Sequence, residues 1–217
     1  MTLRRRRLVR RSKENVDIKL SILIPTLFTR RLQFNRITEK LMKQINENNY
    51  EKEIEIIAHY DNKTVGLSEK RTNMLLTSCG EYIAFLDDDD DISDNYIKLI
   101  MKTIKENNNI DVITFKQHCN IDGKKFNLVS SIKYDLNMNN YDKKSNTYFR
   151  YPWIWCVWKS NKVKDLIFED PTARKNYGED GNWLKKIKET DEITKEICLD
   201  EVLHYYLFSS EKTETQK

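Results

Sequence analysis

Glycine and proline are scarce, with five and three in 217 residues. That excludes collagen-like and low-complexity chains. Long apolar runs are missing as well. Ile22-Leu23-Ile24 and Ile83-Ala84-Phe85-Leu86 are among the longest, far short of the ~20 residues that span a bilayer. No apolar signal-peptide core follows the first arginines, so the expected location is cytoplasmic. The four cysteines, Cys79, Cys119, Cys156 and Cys198, are widely spread, with no CxxC and no histidine at ligand spacing. They read as reduced, mostly buried thiols rather than a disulfide framework. Neither GxGxxG nor GxxxxGK[ST] occurs, so a bound nucleotide would not rest in a glycine cradle.

Eleven Tyr, eight Phe and four Trp argue for a packed core rather than disorder. The length fits one domain. The net charge of +4 is unevenly spread. Residues 1–13 hold Arg4, Arg5, Arg6, Arg7, Arg10, Arg11 and Lys13 and no acid, which is +7, so the rest of the chain is at −3. Such an arm, with a boundary at about residue 18, is either a solvated tail or a contact for anionic lipid or nucleic acid.

The pattern after the arm alternates strand and helix. Lys19-Leu-Ser-Ile-Leu-Ile-Pro25 reads as a buried strand. Phe34, Ile37, Leu41 and Ile45 give an amphipathic helix over 31–48. A second strand is expected at 53–59, then a helix capped by Ser68 and closing near Cys79-Gly80. A third strand, 81–86, runs into five aspartates, Asp87 to Asp91. Asp94 is expected to cap the next helix, and 110–115 to form a fourth strand. The order β-α-β-α-β-α-β predicts an α/β fold with an open, mostly parallel sheet covered by helices. The second half is less regular. Hairpins or loops are expected over 120–150, an aromatic strand over 151–158, a helix opening at Gly178, and two strands at 192–199 and 202–208, before a polar tail at 209–217.

A charge run is usually a solvated face, but this one ends an apolar strand. The carboxyl ends of parallel strands are where such sheets bind ligands. Crowded carboxylates repel one another unless a cation neutralises them. A hard divalent ion, Mg2+ or Mn2+, is the natural partner, and it bridges readily to a phosphate.

In this order and spacing, several segments resemble a GT-A-fold glycosyltransferase of family 2. They are Ser21-Ile-Leu-Ile-Pro-Thr26, Glu55-Ile-Ile-Ala-His-Tyr-Asp61, Gly66-Leu-Ser-Glu-Lys-Arg71, Gly80-Glu-Tyr-Ile-Ala-Phe-Leu-Asp-Asp-Asp-Asp90 and Gly178-Glu-Asp180. The resemblance covers about 19–208. It implies a nucleotide-sugar half (19–118) and a smaller, irregular acceptor half (119–208). It implies that Pro25 and Thr26 line the nucleotide pocket and that Asp61 contacts the base, commonly uracil. Arg71 would face the diphosphate, and Asp87 and Asp88 would lie against the nucleotide sugar. Asp87 and Asp89 match the ends of the DxD motif and would hold Mn2+ or Mg2+, with Asp89 the more direct ligand. Asp180 matches the base of inverting members.

Trp153, Glu179 and Trp183 are expected on the acceptor side. Strand alternation would put Trp153 and Trp155 on one face and Trp158 on the other. Trp153 is either an acceptor platform or core, and Trp158 is core. His204 reads as a structural histidine rather than a metal ligand. The tryptophan motif of processive members is replaced by Val202-Leu-His-Tyr-Tyr206, which implies transfer of a single sugar. The implied donor is a UDP-sugar. The acceptor is a glycan or lipid-linked precursor, or a hydroxymethylated DNA base, since small bacteriophage members share a similar signature. Two other classes stay open: a non-catalytic nucleic-acid-binding protein, suited by the arm and the aromatics, and a nucleotidyltransferase, which also uses paired aspartates. The second lacks its usual glycine-rich basic loop at Pro25-Thr-Leu-Phe-Thr-Arg30.

Overall fold

The computed structural model of the chain describes residues 17–107, 109–169 and 178–210. Nearly all of the basic arm and most of the polar tail lie outside these residues. The first strand, β1 (Leu20–Leu27), is buried along almost its whole length. That is the mark of a strand covered on both faces. It leads through a 3-10 turn (Phe28–Arg30) into α1 (Arg31–Glu47), which turns Ile37, Leu41 and Ile45 inward. Then follow β2 (Ile54–Asp61), α2 (Leu67–Thr77), β3 (Tyr82–Phe85), the two-residue β4 (Asp91–Ile92), α3 (Tyr96–Glu106) and β5 (Val112–Ile121).

The second half contains β6 (Lys124–Ser130), β7 (Asn140–Asp142), β8 (Thr147–Arg150), β9 (Val157–Lys159), the short α4 (Ser160–Val163), α5 (Glu179–Glu189) and β10 (Glu196–Phe208). The sheet order is β2-β1-β3-β9-β5-β6-β8-β7, with β10 pairing β5 and β4. Strands β1, β2 and β3 are parallel, as expected. The short β9 is antiparallel to both β3 and β5, so β5 keeps the direction of β3 without touching it in the sheet.

Several local expectations shift. Ser68 lies inside α2 and the N-cap is Gly66 in extended conformation. The cap of α3 is Asn95, one residue after Asp94. The predicted strand 151–158 is a strand only from Val157 onward. Residues 152–156 form a turn, so strict alternation does not govern Trp153 and Trp155. The region 120–150 has the expected hairpins: β5 extends to Ile121 and turns into antiparallel β6, β7 turns into antiparallel β8, and β6 pairs with β8. The runs at 192–199 and 202–208 form one strand, since Asp200 and Glu201 are accommodated as an irregularity in the ladder with β5.

At Gly80 a Cβ atom would stand 2.6 Å from the Ser21 backbone nitrogen and 2.7 Å from the Tyr82 carbonyl, so only glycine lets β1 and β3 close here. All four cysteines are free thiols, with Cys119 and Cys156 buried and Cys79 and Cys198 exposed. Among the described residues no helix is long and apolar enough to cross a membrane.

Candidate active site

The carboxyl ends of β1, β2 and β3 form one edge, and Thr26, Asp61 and Asp87 stand along it. Pro25 is buried in β1 opposite His59 of β2. Asp61 ends β2 and is buried. One of its oxygens accepts from the Thr64 and Val65 backbone N–H groups at 2.6 and 2.8 Å, and the other is ion-paired with Lys70. Lys70 also donates to the Thr26 carbonyl at 3.0 Å. Burial acts to raise the carboxyl of Asp61, but the Lys70 ammonium and the two N–H groups hold it below the ordinary value. Both oxygens are therefore engaged inside the protein. The role Asp61 displays is to fold the loop after β2 and bind it to β1 and α2.

The aspartate run is a tight turn whose carboxylates find different partners, except that Asp88 and Asp89 share Arg30. Asp87 meets Arg71 at 3.2 Å. Asp88 is buried, takes the Thr26 hydroxyl at 2.6 Å and is forked by Arg30 at 2.5 to 3.1 Å. Burial outweighs these partners and raises its carboxyl. Asp88 is thus an internal anchor of β1 against the turn, not the donor contact expected. Asp89 is 42% exposed at its side chain and pairs with Arg30 at 2.7 Å. Asp90 is buried, 3.0 Å from His204 Nε2, and accepts from the Leu207 N–H at 3.0 Å. Burial pushes it up to about 6 despite the histidine. Asp91 meets Lys40 at 3.2 Å. Arg36 donates to the Asp89 and Asp90 carbonyls at 3.1 and 2.6 Å.

The sequence alone points to a metal as the neutralising partner of this run. Arg30, Arg71 and Lys40 supply much of that neutralisation. Arg30 was the chief omission, and its only signal is the Arg30-Arg31 pair shortly after the first strand. His204 sits as a structural residue, with Nδ1 2.9 Å from Gln117 Nε2 and its ring stacked on Trp155 at 5.3 Å.

Among the described residues no three His, Cys, Asp or Glu side chains converge as a preformed cation site. The donor set still fits a hard cation. Asp87 and Asp89 each show one carboxylate oxygen outside their arginine pairs, on a partly exposed edge. An ion such as Mg2+ keeps several waters and needs only one or two carboxylates besides substrate phosphates.

The start of α5 closes the site. Gly178 has φ +83°, which L-residues rarely adopt, and this turns the chain into the helix. Glu179 is 3% exposed and ion-paired with Arg71. It is therefore not an acceptor-side acid. Burial raises its carboxyl, and Arg71 opposes that rise. Because Arg71 also meets Asp87, one guanidinium ties the aspartate turn to the head of α5. Asp180, the next residue, is partly exposed and accepts from the Gly181 N–H at 2.7 Å and from Trp153 Nε1 at 3.0 Å.

Trp183 is fully buried, not acceptor-facing. It stacks on Phe168 at 4.7 Å, meets Phe85 and Trp158 edge-on, and donates to the Leu166 carbonyl at 2.6 Å. One face of the Trp153 ring is covered by the Arg150 guanidinium, 3.1 Å from the ring centroid, so that face is closed to an acceptor.

A mixed α/β sheet with its acidic turn at the carboxyl edge of parallel strands is a GT-A, Rossmann-like architecture. Solved structures of S. aureus TarS residues 1–349 share it. The UDP complex matches with a TM-score of 0.59 at 18% identity, over 89% of this chain and 62% of that one. The UDP-GlcNAc complex matches with a TM-score of 0.58 at 17% identity, over 92% and 60%. The chain thus spans about 60% of the TarS fragment, and the likeness is one of fold. The model of glycosyl transferase family 2 matches residues 34–163, and the chain belongs to that family. The match includes Asp61, Arg71 and Asp87 to Asp89, while Thr26 and Asp180 fall outside it. No curated protein is similar enough in sequence to count as a match.

Proposed function

We propose that the chain is a glycosyltransferase that moves one sugar from a UDP-linked donor to an acceptor hydroxyl, with inversion. The observation that carries this reading is the Arg71 bridge. Its guanidinium reaches Asp87 on the donor edge and Glu179 at the head of α5, and so keeps Asp180 beside the carboxylates that would face a diphosphate. Glycosyl transfer passes through an oxocarbenium-like state with charge growing on the leaving diphosphate. Asp87 and Asp89 would hold Mn2+ or Mg2+, which when bound neutralises that charge. Asp180, on the opposite side of the reacting carbon, takes the proton of the acceptor hydroxyl as it attacks.

Uridine as the donor base is supported by the TarS complexes with UDP and UDP-GlcNAc, proteins of the same fold. The acceptor is proposed to be a glycan hydroxyl. The basic arm, seven cations without an acid in residues 1–13, suits an anionic acceptor or surface. The reaction is assigned to the cytoplasm, where four free cysteines stay reduced. The test is mass spectrometry of glycan acceptors and hydroxymethylated DNA incubated with a nucleotide-sugar panel and Mn2+. The expected product carries one added sugar, and chelation abolishes it. An added nucleotide instead of a sugar would contradict the reading.

A further inference from the structure

Asp180 carries the proposed chemistry from the first turn of a helix, on a side chain that swings about two bonds. Its carboxylate receives two hydrogen bonds among the described residues. The Gly181 N–H, at 2.7 Å, belongs to the same helix and moves with it. The Trp153 indole N–H, at 3.0 Å, comes from the turn between β8 and β9. That second bond fixes the carboxylate relative to the sheet, where the donor edge lies.

Trp153 is itself clamped. The Arg150 guanidinium stands over its ring, 3.1 Å from the centroid, and Trp155 stands 6.2 Å away on a tilted ring. Gly181 packs at its rim, where an added Cβ would come to 3.9 Å from the indole. Arg150 is buried, makes no ion pair among the described residues, leaves its Nε without a partner and donates only a long bond, 3.4 Å, to the Leu136 carbonyl. A buried guanidinium without a paired carboxylate is costly. Here burial lowers the guanidinium pKa to about 10, the nearby Asp180 carboxylate opposes that fall only in part, and the negative face of the indole lies beside the charge. A cation on one face of an indole draws electron density from the ring and sharpens its N–H as a donor. The charge thus lies over the face of the ring and the carboxylate at its N–H edge.

We infer that Trp153, backed by Arg150, is a positioning residue that aims the Asp180 carboxylate at the acceptor hydroxyl. This rests on the reading of Asp180 as the base. Trp153 touches neither substrate in this account. It removes the rotational freedom of the group that does.

Trp153→Phe tests it, because it removes the N–H while keeping an aromatic, though smaller, ring over Arg150. Turnover should fall about ten- to hundredfold, the worth of one hydrogen bond to a charged group. The donor KM and the Mn2+-dependent affinity for UDP should stay within about twofold. In an Asp180→Asn background the same substitution should cost nothing further, since it acts through the carboxylate. A purely structural role would instead subtract equally in both backgrounds. A second readout needs no acceptor. The Trp153 indole N–H resonance should move in Asp180→Asn. Wild-type turnover in Trp153→Phe, equal losses in both backgrounds, or an unmoved indole signal would each overturn the inference. Wild-type turnover in Asp180→Asn would instead overturn the base assignment, and the role of Trp153 with it.

Discussion

Replacing Arg71 with methionine keeps an unbranched apolar stem but removes the charge between Asp87 and Glu179. The two sides are not equivalent. Asp87 is partly exposed and can turn to water, whereas the Glu179 side chain is 4% exposed and cannot. Breaking a buried pair by deleting one partner costs about 3–5 kcal/mol. For a chain of this size each kcal/mol lowers Tm by about 2–4 °C, so the loss should be about 6–20 °C at pH 8.

The deficit depends on pH, with a definite sign. Burial already raises the Glu179 carboxyl above its ordinary value, and Arg71 is what restrains it. Without Arg71 the native state holds a proton that the unfolded state releases above about pH 4.3. A raised carboxyl stabilises below its unfolded value, and that contribution is lost as pH rises through the folded value. The deficit of the variant should therefore shrink between pH 8 and pH 5. Adding Glu179→Gln should restore most of the stability, because no charge is then left buried alone. Thermal melts followed by circular dichroism at both pH values, beside wild type, decide the matter. A Tm loss under about 2 °C at pH 8, or a double variant less stable than the single, would refute the reasoning.

Three other substitutions probe the frame of the site. Thr26→Val removes the 2.6 Å bond to the buried Asp88. It should cost about 1–3 kcal/mol, and an unchanged Tm would mean that Arg30 alone anchors the turn. Gly80→Ala forces a methyl against the backbone of β1 and β3. Overpacking of this kind costs typically ~1–3 kcal/mol, so a wild-type melt would place the strands farther apart than described here. Asp89→Asn should abolish the Mn2+ dependence of UDP binding in titration calorimetry while leaving Tm nearly unchanged, because the side chain stands at an exposed strand end. Undiminished affinity would remove Asp89 from the site.

The parts that were legible in the sequence are those with a period or a sharp boundary. The run Ser21-Ile-Leu-Ile-Pro25 and the spacing of Ile37, Leu41 and Ile45 announce β1 and α1, and the structure has them close to the expected limits. The aspartates stand out because they end an apolar strand. What stayed hidden depends on residues far apart in the chain. The ion pair of Arg71 with Glu179 joins residues 108 apart, and Arg30 finds Asp88 across 58. Neither leaves a periodic trace. The three residues of β9 pair antiparallel between β3 and β5, and nothing in Val157-Trp158-Lys159 specifies that direction. Trp183 was misplaced for a related reason. A helix-start motif shows which residues come next, but not that the one three places after Asp180 turns into Phe85 and Phe168.

The central claim is that Asp180 removes the acceptor proton beside a donor edge that does not need it for binding. Asp180→Asn tests this most directly, with Mn2+-dependent UDP affinity and turnover measured on the same preparation. The account predicts unchanged affinity, an unchanged donor KM and a turnover lower by about 100- to 10,000-fold. Glu179→Gln should lose stability but far less turnover, because its partner is Arg71 inside the protein. An active Asp180→Asn enzyme, with the loss appearing in Glu179→Gln instead, would contradict it.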